Sequence, residues 1–261
     1  MSNKAANFIE KTNQKHLSEH EATNEVIQEI YRSGLVRDAQ GSTYPHDSSS
    51  VTFQAGALLY AFVREMKPAK TIEIGMAYGL SSLFICQALS DNGSGQHTAI
   101  DPFQEKVYKS IGLLNLERAN LKEIFRFYES PSEVALPQLV SKNETFDFAF
   151  IDGSHLFDNA FVDFFFIDRM IEEGGYIAVD DIWMPAVRKV VSFILKSKPY
   201  DLMRPPYSPD TSFMLRGARL GRRILQNPLG RDWTLKLIPE NIALLKKTGQ
   251  DQRSWDFHRE F

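Results

Sequence analysis

Eight residues in this 261-residue chain have types and spacing that could do chemistry. Five are carboxylates (Glu73, Asp101, Asp152, Asp180 and Asp181), one is an imidazole (His155), and two are glycines, Gly75 and Gly79, which bracket a tight turn. The stretch 71–82, TIEIGMAYGLSS, reads as a short buried strand, a glycine turn and the start of a helix. That geometry brings backbone N–H groups up to a nucleotide-like ligand in α/β proteins. Glu73 lies inside the buried strand, where a carboxylate is costly without a partner. It either meets a bound donor or cation at the strand's C-terminal end or caps a neighbouring loop. Asp101 follows Gly79 by 22 positions (101 − 79), the distance at which a carboxylate accepts hydrogen bonds from ribose hydroxyls.

Further polar residues fall at the ends of the later apolar runs: Glu129 and Ser130, then Asp152 with His155 three positions on, then the pair Asp180 and Asp181. The type of ligand is narrowed by what the turn lacks. A dinucleotide fingerprint, G-x-G-x-x-G, needs a middle glycine so that the backbone can approach a pyrophosphate. Here the sequence is Gly75-Met-Ala-Tyr-Gly79, without it. A ligand without phosphates is favoured over a nicotinamide or flavin dinucleotide. S-adenosylmethionine has no phosphate and is cationic at sulfur, which suits a site carrying Glu73 and Asp101.

The elements that must position these groups alternate. Strands are expected at 70–74, 96–101, 124–129, 146–152 and 175–180, and helices at 79–88, 104–119, 132–139, 157–171 and 185–196. This βαβα rhythm calls for a doubly wound, mainly parallel sheet with helices on both faces. Right-handed crossovers then gather the C-terminal ends of the strands on one edge, where ligands bind. Ahead of this core, 1–50 reads as a helical extension with an apolar stripe over 22–31, followed by a loop at 36–50; 51–66 is a helix. After it, 208–240 reads as a basic insertion carrying Arg216, Arg219, Arg222, Arg223 and Arg231, either a solvated helix face, a flap over an anionic substrate or a subunit contact. A late strand is expected at 241–247, and the tail, with Trp255, Phe257 and Phe261, is expected to dock.

Composition bounds the partners. A net charge of −3 gives no reason to expect nucleic acid or an anionic membrane. The N-terminal stretch is too polar for a signal peptide, and no run of about 18 apolar residues could span a bilayer. The single cysteine, Cys86, rules out an internal disulfide and a cysteine-based zinc site and fits a reducing cytosol.

Taken together, these motifs resemble the class I S-adenosylmethionine-dependent methyltransferases of the catechol O-methyltransferase-like group. Within that group the chain is most similar to the macrocin and aminocoumarin-sugar O-methyltransferases. The resemblance is carried by E-x-G-x-x-x-G-x-S at Glu73, Gly75, Gly79 and Ser81, by Arg64-Glu65 and Pro68, and by Pro137-Gln138-Leu139. It is carried most specifically by DGSH at Asp152–His155 and GG-x-x-x-x-DD at Gly174–Asp181, and covers about residues 50–195. It implies a seven-stranded sheet in a methyltransferase domain over 51–261, preceded by a helical extension and lid loop over 1–50.

The resemblance also implies roles. Glu73 and Gly75 would lie near the methionine amino group of S-adenosylmethionine, Ser81 near its carboxylate, Asp101 at the ribose and Ser132 beside the adenine. Val51, with Ser50, falls where the lid begins. A divalent ion would be held by Asp152, Asp180 and Asp181, an all-oxygen set that suits Mg²⁺. The catechol enzymes carry an amide at the Asp181 position and a lysine base at the His155 position. Here His155 is either the general base or a hydrogen-bonding partner of substrate or of a metal ligand. The expected reaction is in-line methyl transfer to a hydroxyl of a small molecule, a sugar or a phenolic natural product. A metal-independent methyltransferase and a non-catalytic S-adenosylmethionine-binding protein stand as alternatives, and a homo-oligomer is left open.

Overall fold

The computed structural model describes residues 24–46, 50–203, 235, 238 and 241–258. Seven helices and nine strands occur among them: α1 (Glu25–Ser33), β1 (Leu35–Arg37), β2 (Thr43–Pro45), α2 (Phe53–Met66), β3 (Lys70–Ile74), α3 (Leu80–Asp91), β4 (Gln96–Ile100), α4 (Ile111–Arg118), β5 (Phe125–Tyr128), α5 (Ser132–Ser141), β6 (Phe146–Ile151), α6 (Phe157–Met170), β7 (Ile171–Val179), α7 (Pro185–Ser197), β8 (Tyr200–Leu202) and β9 (Ala243–Lys247). Seven strands make one sheet in the order β5-β4-β3-β6-β7-β9-β8, with β4–β5, β3–β6 and β6–β7 parallel and β9 antiparallel to both neighbours. The doubly wound reading holds. The basic stretch with Arg216 to Arg231 lies outside the described residues.

The chain divides into two compact units, Met1–Ala69 with Met76–Ser130, and Lys70–Gly75 with Pro131–Phe261. In the first unit, α1 starts at Asn24, whose side chain accepts from the Val26 amide, and stops at Gly34 in the left-handed region. Its stripe of Val26, Ile27, Ile30 and Tyr31 is buried, as expected. Tyr31, Phe53 and Phe84 form an aromatic cluster with centroids 5.3–5.9 Å apart. Gly56 allows it: a Cβ there would lie 2.1 Å from the Phe84 ring.

Two expectations in this unit need correction. The segment 36–50 is not all loop, because Leu35–Arg37 and Thr43–Pro45 pair as a hairpin. The Asp38 carboxylate closes the turn by accepting from the Gln40 and Ser42 amides and from the Tyr44 hydroxyl. Nor does a helix fill 104–119. It starts at Ile111, because Lys109 and Ser110 adopt left-handed φ of 53° and 55°.

In the second unit, β6 lies between β3 and β7, with Glu73 opposite Phe150 and Phe150 opposite Ala178. The ladder continues past the strands: the Asp152 amide donates to the Ile74 carbonyl and the Asp180 amide to that of Ile151. Helix α6 buries Ala160, Asp163, Phe164, Ile167, Asp168 and Met170, at helical spacing. Its Asp168 is the centre of a buried network. Lys198 donates to Asp168 Oδ2 (2.6 Å), the Tyr200 hydroxyl to Oδ1 (2.9 Å), and Lys247 to the Asp168 and Ile171 carbonyls. Lys198 also reaches Asp251, which pairs with Arg253, so the tail docks through charge. It does not dock through Trp255, which is 98% exposed. No helix among the described residues is long and apolar enough to cross a membrane.

Candidate active site

Sheet order decides where a site can form. The strand order reverses between β3 and β6, and ligands of open α/β sheets bind beyond the C-terminal strand ends at such a point. In the second unit the residues there are Glu73 near the end of β3 and Gly75 just after it, Asp152 to His155 after β6, and Asp180 and Asp181 after β7. Glu73 is fully buried. Gly75, at φ 87°, has no room for a side chain, since a Cβ would lie 2.2 Å from the Asp152 carbonyl oxygen. Glycine is therefore obligatory where the two strand ends meet.

Asp152, His155 and Asp181 bring one potential ligand atom each to within 4.8 Å of one another. His155 Nε2 is 2.8 Å from Asp181 Oδ2 and 3.8 Å from Asp152 Oδ1. Asp181 reaches this position through a left-handed backbone, φ 52°, a strained conformation of the kind that clusters at functional sites. Its Oδ1 also accepts from the Trp183 indole N–H (2.7 Å), and its backbone carbonyl accepts from the Met184 amide. Its side chain does not cap α7, whose N-cap is Met184. Asp180 lies next to this group, and its Oδ1 accepts from the Asp181 amide at 2.7 Å. Of the expected ligand set Asp152, Asp180 and Asp181, the first and last come together with His155, the expected base, between them.

The electrostatics reflect this crowding. Burial first, then its acidic neighbours Asp181 and Glu73, push the Asp152 carboxyl up to about 6, although His155 opposes them. Burial and Asp152 push Asp180 well above the usual carboxylate range. His155 holds Asp181 below its ordinary value. In return, Asp152 and Asp181 push His155 up to about 10. The two carboxylates thus favour the protonated, cationic form of the imidazole between them.

Four of the residues expected to bind cofactor, Val51, Gly79, Ser81 and Asp101, belong to the first unit. Met76–Gly79 follow β3, Gly79 is the left-handed N-cap of α3, and Ser81 is buried in the helix's first turn. Asp101 is 3% exposed, and its carboxylate is already engaged with backbone. Oδ2 accepts from the Met76 and Ala77 amides at 2.9 and 2.8 Å, and Oδ1 from that of Phe103 at 2.7 Å. Its position past the glycine turn was legible in the sequence, whereas this turn-holding role was not. Val51 is buried, and its carbonyl accepts from the Tyr31 hydroxyl at 2.7 Å. In the second unit, Ser132 bonds to Asp163 of α6 through its side chain, so the residue expected beside the adenine also links two helices.

Sequence reasoning missed three residues around the turn: Gln104, Gly112 and Asn115. Gln104 and Asn115 are fully buried and donate to the carbonyls of Ala77 and Tyr78. A usable signal was the polar Asn115 one helical turn from Gly112 inside an otherwise apolar helix face.

Residues 72–182 match the family described as "Methyltransferase domain". The chain is 32% identical over 136 residues to a caffeoyl-CoA O-methyltransferase of Stellaria longipes, covering 49% of this chain and 53% of that one. It is 29% identical over 150 residues to that of Populus kitakamiensis, covering 54% and 59%. The chain thus spans between 53% and 59% of the length of these relatives. Among solved structures it shares the fold of an O-methyltransferase from Bacillus cereus in complex with SAH (TM-score 0.59, 19% identity, 74% of this chain and 89% of that one). It also shares that of an SAH-bound methyltransferase of Podospora anserina (TM-score 0.62, 12% identity, 95% and 97%). With the sheet order and the strand-end carboxylates in place, residues 72–182 are similar to a methyltransferase domain and the chain has the fold of the O-methyltransferases it resembles.

Proposed function

We propose that this protein is an S-adenosylmethionine-dependent O-methyltransferase that uses Mg²⁺ to methylate a hydroxyl of a small phenolic molecule, a sugar hydroxyl being the alternative acceptor. The observation that carries the reading is the convergence of Asp152, His155 and Asp181 at the C-terminal ends of β6 and β7, one strand on from where the order reverses between β3 and β6. The residues fit a hard divalent cation: two carboxylates within 4.8 Å of each other, with Asp180 next in sequence, repel one another strongly unless a positive charge compensates them. The names of the curated relatives favour the phenolic acceptor.

S-adenosylmethionine supplies a methyl group on a sulfonium, and a divalent cation supplies Lewis acidity that lowers the pKa of an acceptor hydroxyl. The chain's own residues do the rest. Asp152 and Asp181 fix where positive charge can reside, and Glu73 adds a buried negative charge on the neighbouring strand, suited to the cationic end of the cofactor. His155 takes the acceptor's proton at Nε2, the nitrogen that faces both carboxylates. Trp183, half exposed and donating to Asp181, offers an aromatic face next to this group.

A metal-independent reaction is the second reading, favoured by the imidazolium already standing between Asp152 and Asp181. Calorimetric titration with S-adenosylmethionine, with and without Mg²⁺, followed by turnover of caffeoyl-CoA and catechol before and after EDTA, tests both. Absence of cofactor binding refutes the proposal. Turnover that survives EDTA moves the conclusion to the second reading.

A further inference from the structure

The peptides of Met76–Gly79 have an unusual shape held by unusual means. Ala77 has φ 46° and Gly79 φ 77°, so a non-glycine residue sits in the left-handed region inside the turn. For an L-residue that conformation costs roughly 1–2 kcal/mol, and it persists only where the surroundings over-determine it. Here they do, from within the first unit. Asp101 accepts from the amides of Met76 and Ala77. Gln104 Nε2 donates to the Ala77 carbonyl at 2.5 Å, and Asn115 Nδ2 donates to the Tyr78 carbonyl at 3.0 Å. Both amide side chains have no exposed surface, so neither bond competes with water.

Gly112 completes the clamp by letting α4 come close. A Cβ at Gly112 would lie 2.8 Å from the Ala77 carbonyl oxygen and 2.9 Å from Gln104 Oε1, and one at Gly79 would lie 3.0 Å from Gly112 Cα. The left-handed Lys109 and Ser110 bring the chain back to α4, and the Ser110 amide donates to the Gln104 carbonyl at 2.7 Å, fixing the residue that holds the turn. Four residues from two consecutive segments, the loop after β4 and α4, thus define both faces of consecutive peptide groups in one short turn.

We propose that Gln104 and Asn115 are positioning residues for the cofactor: with Asp101 and Gly112 they set the peptides of Met76–Gly79 in the ligand-binding shape before ligand arrives. This rests on the methyltransferase reading above. Pre-organisation of this kind acts on affinity by removing the cost of ordering the loop on binding. Neither residue is a member of the group formed by Asp152, His155 and Asp181.

The test is calorimetric titration of SAH into the full-length protein and its Gln104→Met and Asn115→Leu variants, with thermal melts alongside. Each variant removes one donor at nearly constant volume. Loss of one buried hydrogen bond should weaken SAH binding about 5–20-fold, and KM for S-adenosylmethionine should rise by the same factor while kcat falls less. A merely structural role would lower the melting temperature and leave the affinity of the folded protein alone. Folded variants that bind SAH within about twofold of wild type therefore overturn the inference. Wild type that binds no SAH overturns the methyltransferase reading, and this inference with it. If neither variant folds, hydrogen exchange on wild type decides. The Met76 and Ala77 amides should be protected before SAH is added, and free exchange there overturns the inference.

Discussion

Replacing His155 by alanine separates the two things an imidazole could do at this site. Its Nε2 lies 2.8 Å from Asp181 and 3.8 Å from Asp152, and in its cationic form it balances their charge. Two unit charges about 4 Å apart interact by roughly 4 kcal/mol at an effective dielectric of about 20. The His155 side chain is 39% exposed, so solvent screening reduces this to about 0.7 kcal/mol per carboxylate, or about 1.4 kcal/mol over the two. Removing the charge should therefore leave Asp152 and Asp181 about tenfold more attractive to a divalent ion. If His155 is the base, turnover should fall about 10²–10⁴-fold while Mn²⁺ or Mg²⁺ affinity, read by calorimetry, stays level or rises by up to that tenfold. If His155 is instead a metal ligand, turnover and affinity fall together. Near-normal turnover in His155→Ala would refute the base assignment outright.

Other perturbations test neighbouring parts of the structure. Gly75→Ala places a Cβ 2.2 Å from the Asp152 carbonyl at a φ that disfavours any side chain. It should destabilise the fold by about 1–3 kcal/mol, seen as a lower urea midpoint, and abolish cofactor binding. Asp181→Asn removes the carboxylate that meets both His155 and Trp183. Turnover should collapse and fail to recover on adding Mg²⁺, whereas wild type stripped with EDTA should recover fully; equal recovery in both would remove Asp181 from the site. Asp168 is pushed up by burial but more strongly held down by Lys198, Lys247 and Tyr200, so its folded-state pKa is below its unfolded value. Its contribution to stability is therefore complete above about pH 4 and is lost as pH falls through the lower folded value. Asp168→Asn should cost about 3–5 kcal/mol at pH 7, and the gap between variant and wild type should narrow in urea melts near pH 3. A gap independent of pH would show that packing, not charge, accounts for the loss.

Local pattern carried most of the architecture. Strands 70–74 and 96–101, and the helix at 185–196, were legible within a residue or two because apolar runs, glycine turns and Pro185 act over a few neighbours. The strand-end acids were legible for the same reason: Glu73, Asp152, Asp180 and Asp181 each follow or interrupt an apolar run. The sequence by itself therefore determined that this is a doubly wound sheet with carboxylates at its ligand-binding edge. The hairpin at 35–45 was not legible, because Asp38 makes it with side-chain hydrogen bonds that leave no periodicity. Strand β8, only three residues long, is defined by its pairing to β9, a partner more than 40 positions away.

Tertiary structure alone decided which of the acids meet. Asp180 and Asp181 are adjacent in sequence, yet a left-handed φ at Asp181 sends its carboxylate to His155, while Asp180 accepts from its neighbour's amide. The helix expected from 104 begins instead at Ile111, because Gln104 is drawn to the Ala77 carbonyl 27 residues earlier and left-handed residues at 109 and 110 make the return. Periodicity reports which face of a segment is apolar. It holds no information about which distant backbone carbonyl a buried amide will satisfy, and that pairing shapes the turn after β3.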